Sequence, residues 1–311
     1  MKILFIGRGK RIDYQSDILL HGLMQISDIS VYTLFDEWFM YEGNDEAQIK
    51  KLYGMGFTIT NRIPLSKKNI CGYEDAIGKI CSHFFDLVIY GCIFKQDALL
   101  EIVLENYTKN EVFFIDGEDS DFGYRQKNTS LGVKLYWFPI ANRRKGIYLS
   151  EKGIYFKREL REKERYRWNP IYFAIPEENI VKKMPDKTID VATIIPGNLA
   201  TYIYDNESDY YYGYQKAKFA VTTKKAGWDC LRHYEILANA CIPYFPMLEK
   251  CPSTTMLSFP KKLIMETNRL FEKGDFNSRL IPYYTNVFLE YTKEFLTTKR
   301  LAEYVLSYFN L

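Results

Sequence analysis

Short apolar runs alternate with stretches of helical period along most of the chain. Lys2–Ile6 is an apolar run that ends at Gly7-Arg8-Gly9, the way a buried parallel strand opens into a loop. Ser16 then precedes a stretch in which Ile18, Leu19, Leu23 and Ile26 recur at helical spacing, which predicts a helix capped by Ser16. Residues 31–35 (VYTLF) read as the next strand. Further on, 74–84 reads as helix, 86–90 (DLVIY) as buried strand, 97–106 as helix and 111–115 (EVFFI) as strand. Such alternation predicts an open α/β domain with a mostly parallel sheet. Ligands of such sheets bind outside the carboxyl ends of the strands, and Gly7, Gly91 and Asp116 fall at those ends.

The texture changes between 145 and 167. YFKRELREKERYRW is dense in alternating charge and reads as a solvated helix or a connector. The boundary between two α/β lobes, 1–160 and 161–311, is placed there. The second half repeats the rhythm: strands at 189–195 and 218–224, a helix at 229–239, a strand at 242–245 and a short strand at 262–265. Two C-terminal helices follow, the last over 287–309, amphipathic and long enough to cross back over both lobes. The expected fold is α/β, with two Rossmann-like lobes whose parallel sheets face across a cleft.

Composition narrows the class. A length of 311 residues suits about two domains. With 47% hydrophobic and 26% charged residues, disorder, collagen-like repeats and coiled-coil rods are excluded. The aromatic content of 16% fills large cores and leaves rings to stack on flat ligands. A net charge of +3 is too mild for an obligate nucleic-acid binder. The six cysteines form no CxxC pair and there are three histidines, so a zinc site is not expected and a reducing compartment is the simpler assumption. No signal peptide and no run of membrane-spanning length is read, and the expectation is a cytoplasmic protein.

The most informative stretch is KFAVTTKKAGWDCLRHYEILANACIPYF, residues 218–245. A buried strand ends in Lys224-Lys225-Ala226-Gly227-Trp228, and a helix begins near Asp229. Backbone N–H groups and a positive dipole end thus meet two lysines and a glycine, an arrangement that suits a diphosphate. Arg232 and Glu235 lie three apart, on one helical face. The guanidinium can clamp phosphate bidentately, and the carboxylate can accept from both hydroxyls of a ribose.

This segment resembles the donor-binding region of GT-B glycosyltransferases, in its exostosin-like form, where an Arg and a Glu lead into a small-residue turn and a strand; here the turn is Asn239-Ala240-Cys241-Ile242-Pro243. The resemblance covers about thirty-five residues closely. It implies that Glu235 binds the donor ribose and that Lys224, Lys225, Gly227 and Arg232 hold the diphosphate. Ala240 replaces the usual second glycine, and position 227, eight before Glu235, is Gly rather than the first Glu of the family's E-x7-E pair. That leaves inverting or retaining outcome open.

In the same layout the first N-terminal loop lines the acceptor side, through Gly7, Arg8, Gly9 and Asp17. Tyr204, in a stretch with six tyrosines among residues 201–214, is expected to stack on the donor base. Asp116, at a strand end within a turn holding Glu118, Asp119 and Asp121, is the preferred general base, with His21 as the other candidate. Glu118-x-x-Asp121 or Asp119-x-Asp121 has the outline of a Mg2+ site, but no metal or cofactor is expected. The resemblance thus implies a metal-independent transferase moving sugar from a nucleotide-sugar donor to a glycan or other acceptor hydroxyl. Two rivals are a phage- or virus-type DNA-base glycosyltransferase, using Lys10-Arg11, Arg143-Arg144-Lys145 and Lys157-Arg158, and a non-catalytic nucleotide- or glycan-binding module.

Overall fold

The computed structural model describes residues 1–122, 125–128, 134–137, 140–275 and 279–309. In chain order its N-terminal part holds β1 (Lys2–Ile6), α1 (Tyr14–Leu23), β2 (Ser30–Thr33), α2 (Glu46–Ile49), α3 (Tyr73–Cys81), β3 (Leu87–Tyr90), α4 (Leu100–Asn106) and β4 (Val112–Asp116). It continues through β5 (Arg125–Asn128), β6 (Lys134–Trp137), α5 (Ile140–Lys152), β7 (Ile154–Lys157) and β8 (Asn169–Pro170). Six of these strands form one parallel sheet in the order β2-β1-β3-β4-β7-β8, and β5 and β6 form an antiparallel hairpin.

Both faces of this sheet are covered, so its strands read as unbroken apolar runs rather than alternating ones. Ile3, Phe5, Leu87, Ile89, Phe113, Ile115 and Phe156 point to one core, and Leu4, Ile6, Val88, Tyr90, Val112, Phe114 and Tyr155 to the other.

The second part holds β9 (Ile189–Val191), α6 (Glu207–Gln215), β10 (Ala217–Val221), α7 (Leu231–Ala238), β11 (Ile242–Tyr244), α8 (Lys261–Glu272), α9 (Leu280–Phe295) and α10 (Thr298–Leu306). Its three strands are parallel, in the order β11-β10-β9. The core on the α1 side of the large sheet runs on into this part, taking in Phe219, Tyr234, Leu237, Ile242 and Phe245.

The chain returns to the first sheet at its end. Leu296 and Thr297 break the expected 287–309 helix in two, with the Thr297 side chain capping α10. Ile175 and Thr297 then bridge, by Ile175 N to Leu296 O at 2.9 Å and Thr298 N to Ile175 O at 3.0 Å. Contact with α1 is so close that a Cβ on Gly22 would lie 2.0 Å from the Thr298 carbonyl oxygen.

Three further expectations change. Residues 262–265 belong to α8, which buries Ile264 together with Thr267 and Asn268, three and four positions on. The α1 cap is Asp13, whose side chain accepts from Ser16 N, and Ser16 lies inside the helix. The charge-rich stretch at 145–167 is neither solvated helix nor connector. It contributes most of α5 and all of β7, with Lys157, Arg158, Glu159 and Glu164 buried. Among the described residues no helix is long and apolar enough to cross a membrane.

Candidate functional site

The loops that leave β1, β4, β7 and β10 at their carboxyl ends converge on one cleft of ≈ 1050 Å³. From the first sheet come Arg8, Asp13, Gln15, Gly117, Asp119 and Arg158. The second part contributes Tyr202, Tyr204, Tyr210, Lys225, Gly227, Arg232 and Glu235.

The wall built from β10 and α7 is tightly held. The His233 imidazole fixes the loop: with the Trp228 carbonyl 2.9 Å from Nε2, that nitrogen carries the proton, and Nδ1 accepts from the Thr222 hydroxyl at 2.7 Å. Burial pushes this imidazole down to about 3, so it stays neutral. Glu159 accepts from Asp229 N at 2.9 Å, and its carboxylate fills the space a side chain at 227 would need, 2.5 Å from a Cβ placed there. Burial also pushes the Asp229 carboxyl up to about 7, against the pull of Arg158.

Arg158 ties the two parts together. Its guanidinium donates to the Gly117 carbonyl at 2.6 and 3.1 Å, to the Asp229 carbonyl at 2.5 Å and to Asp119 at 2.6 Å.

Lys225 Nζ donates to the Tyr202 hydroxyl at 3.2 Å, and the Arg232 guanidinium lies 5.1 Å from the Tyr202 ring centre. The buried Arg232 Nε has no hydrogen-bond partner. Glu235 is buried at the cleft floor, where it accepts from Thr58 Oγ1 and Tyr210 OH, each at 2.5 Å. Burial raises its carboxyl, and those two hydroxyls act in the opposite sense.

Lys224 parts from its neighbour. It lies over the Trp228 ring, 5.4 Å from its centre, and lines a smaller cavity of ≈ 200 Å³ with Asp121 and Glu159. Tyr204 reaches the cleft edge and packs against Tyr210. Of the tyrosine-rich stretch, Tyr210, Tyr211 and Tyr214 are buried in α6.

The N-terminal candidates divide. Arg8 lines the cleft, whereas Gly7, Gly9 and Asp17 build the loop from beneath. Gly9 N donates to Glu37 Oε1 at 3.1 Å, and Asp13 N to Asp17 Oδ2 at 2.9 Å. Both acids sit under the loop, where burial raises Asp17 and pushes Glu37 up to about 7.

Neither of the two expected bases reaches the cleft. Asp116 lies opposite Lys157 in the β4–β7 register, fully buried, and accepts from Lys157 Nζ and Tyr155 OH, each at 2.8 Å. His21 faces α10, with Nδ1 2.8 Å from Thr298 Oγ1 and Nε2 3.0 Å from Glu178. In the 116–121 turn it is Asp119 that lines the main cleft. Of the basic segments, Lys10-Arg11 is at the cleft. Lys157 and Arg158 are buried, Arg143 pairs with Glu164 and Lys145 with Asp97. Among the described residues no three His, Cys, Asp or Glu side chains are grouped as a metal site requires.

Arg158 entered the sequence reading only as part of a basic segment, and Glu159, His233 and Thr58 did not enter it. The signal for the first two was the apolar Ile154-Tyr155-Phe156 after Gly153, which the charges around it obscured.

Two open parallel sheets with the cleft at their strand ends define a GT-B-like α/β fold. No family model matches the chain, and no curated protein does. Among solved structures, an alpha-glucosyltransferase in complex with UDP and a 13-mer DNA containing a HMU base aligns over 100% of this chain and 99% of its own, at 11% identity and a TM-score of 0.50. Anabaena HepE in complex with UDP and glucose aligns over 99% and 98%, at 9% identity and a TM-score of 0.49. The first likeness establishes the shared fold and nothing finer.

Proposed function

We propose that the chain is a glycosyltransferase that moves a sugar from a nucleotide-sugar donor to an acceptor hydroxyl. The observation that carries this reading is the unpartnered Nε of Arg232, buried at the start of α7 beside Lys225 in a cleft between two α/β lobes. A buried donor without a partner costs about 1–3 kcal/mol, and a donor diphosphate would satisfy it. Lys225 and Arg232 would neutralise the departing nucleoside diphosphate without a metal, the largest catalytic contribution available at this site.

Glu235 is the ribose anchor in this reading. A carboxylate has about four lone-pair sites, so it can accept from ribose beside Thr58 and Tyr210. Tyr202 and Tyr204 offer rings to the base. Lys224 supports the loop rather than touching phosphate. Asp119, in place of Asp116 or His21, is the carboxylate placed to take the acceptor proton.

A thermal-shift screen with UDP, GDP and their sugars tests the donor site. Ligand at 100 times its Kd adds about 2.7 kcal/mol of stability, and no shift with any of them would remove the reading. Arg232→Ala should weaken the nucleotide that binds at least tenfold by calorimetry, as loss of hydrogen bonds from a charged group predicts. EDTA should leave transfer unchanged.

A further inference from the structure

The cleft holds more positive charge than one nucleoside diphosphate uses. Lys95 is taken by Asp13 at 2.7 Å and Arg158 by Asp119 at 2.6 Å. Lys225 and Arg232 serve the donor. On the opposite wall Arg8, Lys10, Arg11 and Lys51 remain. Among the described residues none of these four has a carboxylate within 4.0 Å. Lys10, Arg11 and Lys51 are exposed.

Tyr53 stands in the same wall with 78% of its surface exposed. It is held by Tyr14, whose hydroxyl donates to the Tyr53 carbonyl at 3.2 Å and whose ring lies 6.1 Å from its ring. A neutral glycan gives the three exposed cations Lys10, Arg11 and Lys51 nothing to neutralise. A phosphate chain does, and an exposed ring among cations is the arrangement on which unpaired bases stack.

We infer that this wall binds a single-stranded nucleic-acid segment, its phosphates among Arg8, Lys10, Arg11 and Lys51 and a base on Tyr53. The mild net charge of +3 conceals this, because acids elsewhere on the chain balance a local excess. If the transferase reading holds, the bound strand is its acceptor; the wall itself does not depend on that reading.

The test is fluorescence anisotropy with a labelled 13-residue single-stranded DNA, alongside inorganic polyphosphate and hyaluronate as competitors. The oligonucleotide should bind, more weakly as salt rises. The triple variant Lys10→Gln/Arg11→Gln/Lys51→Gln should lose at least tenfold in affinity, and its log–log salt slope should shrink by about 2, three contacts at about 0.7 each. Tyr53→Ala should cost at least fivefold with the oligonucleotide and leave polyphosphate competition unchanged. Absence of oligonucleotide binding, or equal binding by the triple variant, would overturn the inference. So would hyaluronate competing as well as DNA, or a Tyr53→Ala variant that binds DNA like the parent. Failure of the transferase reading looks different: no thermal shift with UDP or GDP while oligonucleotide binding persists.

Discussion

Two strand–loop–helix units face each other across the cleft, β1 with α1 and β10 with α7, and their helices begin in opposite ways. In the first unit three carboxylates consume the backbone N–H groups of the loop: Glu37 takes Gly9 N, Asp17 takes Asp13 N, and Asp13 takes Ser16 N. In the second, Cys230 occupies the cap position, no side chain caps the helix and its first turn holds no acid. A helix start already neutralised by its own acids has little left for a phosphate, whereas an uncapped one flanked by Lys225 and Arg232 does. The same secondary structure therefore leaves a helix start open to an anion in one lobe. In the other it yields a rigid shelf that can meet anions only through the tips of its basic side chains.

Titration should separate the units most strongly. Glu37 is pushed up to about 7 from 4.5. A raised carboxyl favours the native state fully below its unfolded value and loses that contribution as pH climbs through its folded value. Glu37→Gln should therefore gain ~3 kcal/mol relative to the parent between pH 4.5 and 7.5, read by urea unfolding across that range. In the second unit two groups oppose each other. Asp229, at about 7, loses its contribution as pH rises. His233, held down to about 3, contributes fully above its unfolded value near 6.5 and loses that as pH falls. Between pH 4 and 6.5 the two nearly cancel, and Asp229→Asn should expose the histidine: relative to the parent, its stability should climb as pH rises through that window. An unchanged pH profile in either variant would contradict the corresponding burial argument.

Making the second helix start like the first is the next test. Cys230→Asp should cap α7 and place a negative charge where the diphosphate is expected. The nucleotide should bind about tenfold more weakly, with folding stability within about 1 kcal/mol of the parent. The smallest effect belongs to the reverse change. Asp13→Ala should cost about 1 kcal/mol of stability, as loss of a cap does, while calorimetry finds nucleotide affinity unaltered.

Legibility in the sequence followed the same physics. β1, β3 and β4 were readable because strands covered on both faces are almost wholly apolar, and β10 because Phe219-Ala220-Val221 is an apolar run. The 224–235 loop and helix start were readable because cations beside a glycine at a strand-to-helix turn form a local pattern. β7 was hidden because burial of Lys157, Arg158 and Glu159 depends on partners distant in sequence: Asp116, Asp119, Gly117 and the loop before α7. Asp116 misled for a related reason. Its place at a strand end suggested the cleft, but side-chain alternation turns it to the face shared by Phe114 and Tyr155, where Lys157 waits in register. His21 could not be placed without knowing that α10 returns to cover α1. Glu235 was identifiable as a polar residue on the Arg232 face, while Thr58 reaches it from 177 positions away.

The paired crossing at Ile175 and Thr297 limits how the two lobes can move. The polypeptide passes between them there in both directions, and the two passes are hydrogen-bonded to each other. A lone linker would let one lobe swivel freely about the other. Here two passes, bonded to each other, cross together, so neither can shift without the other. Thr58, joined to Glu235, Glu207 and Asn179, fastens the lobes at a second place.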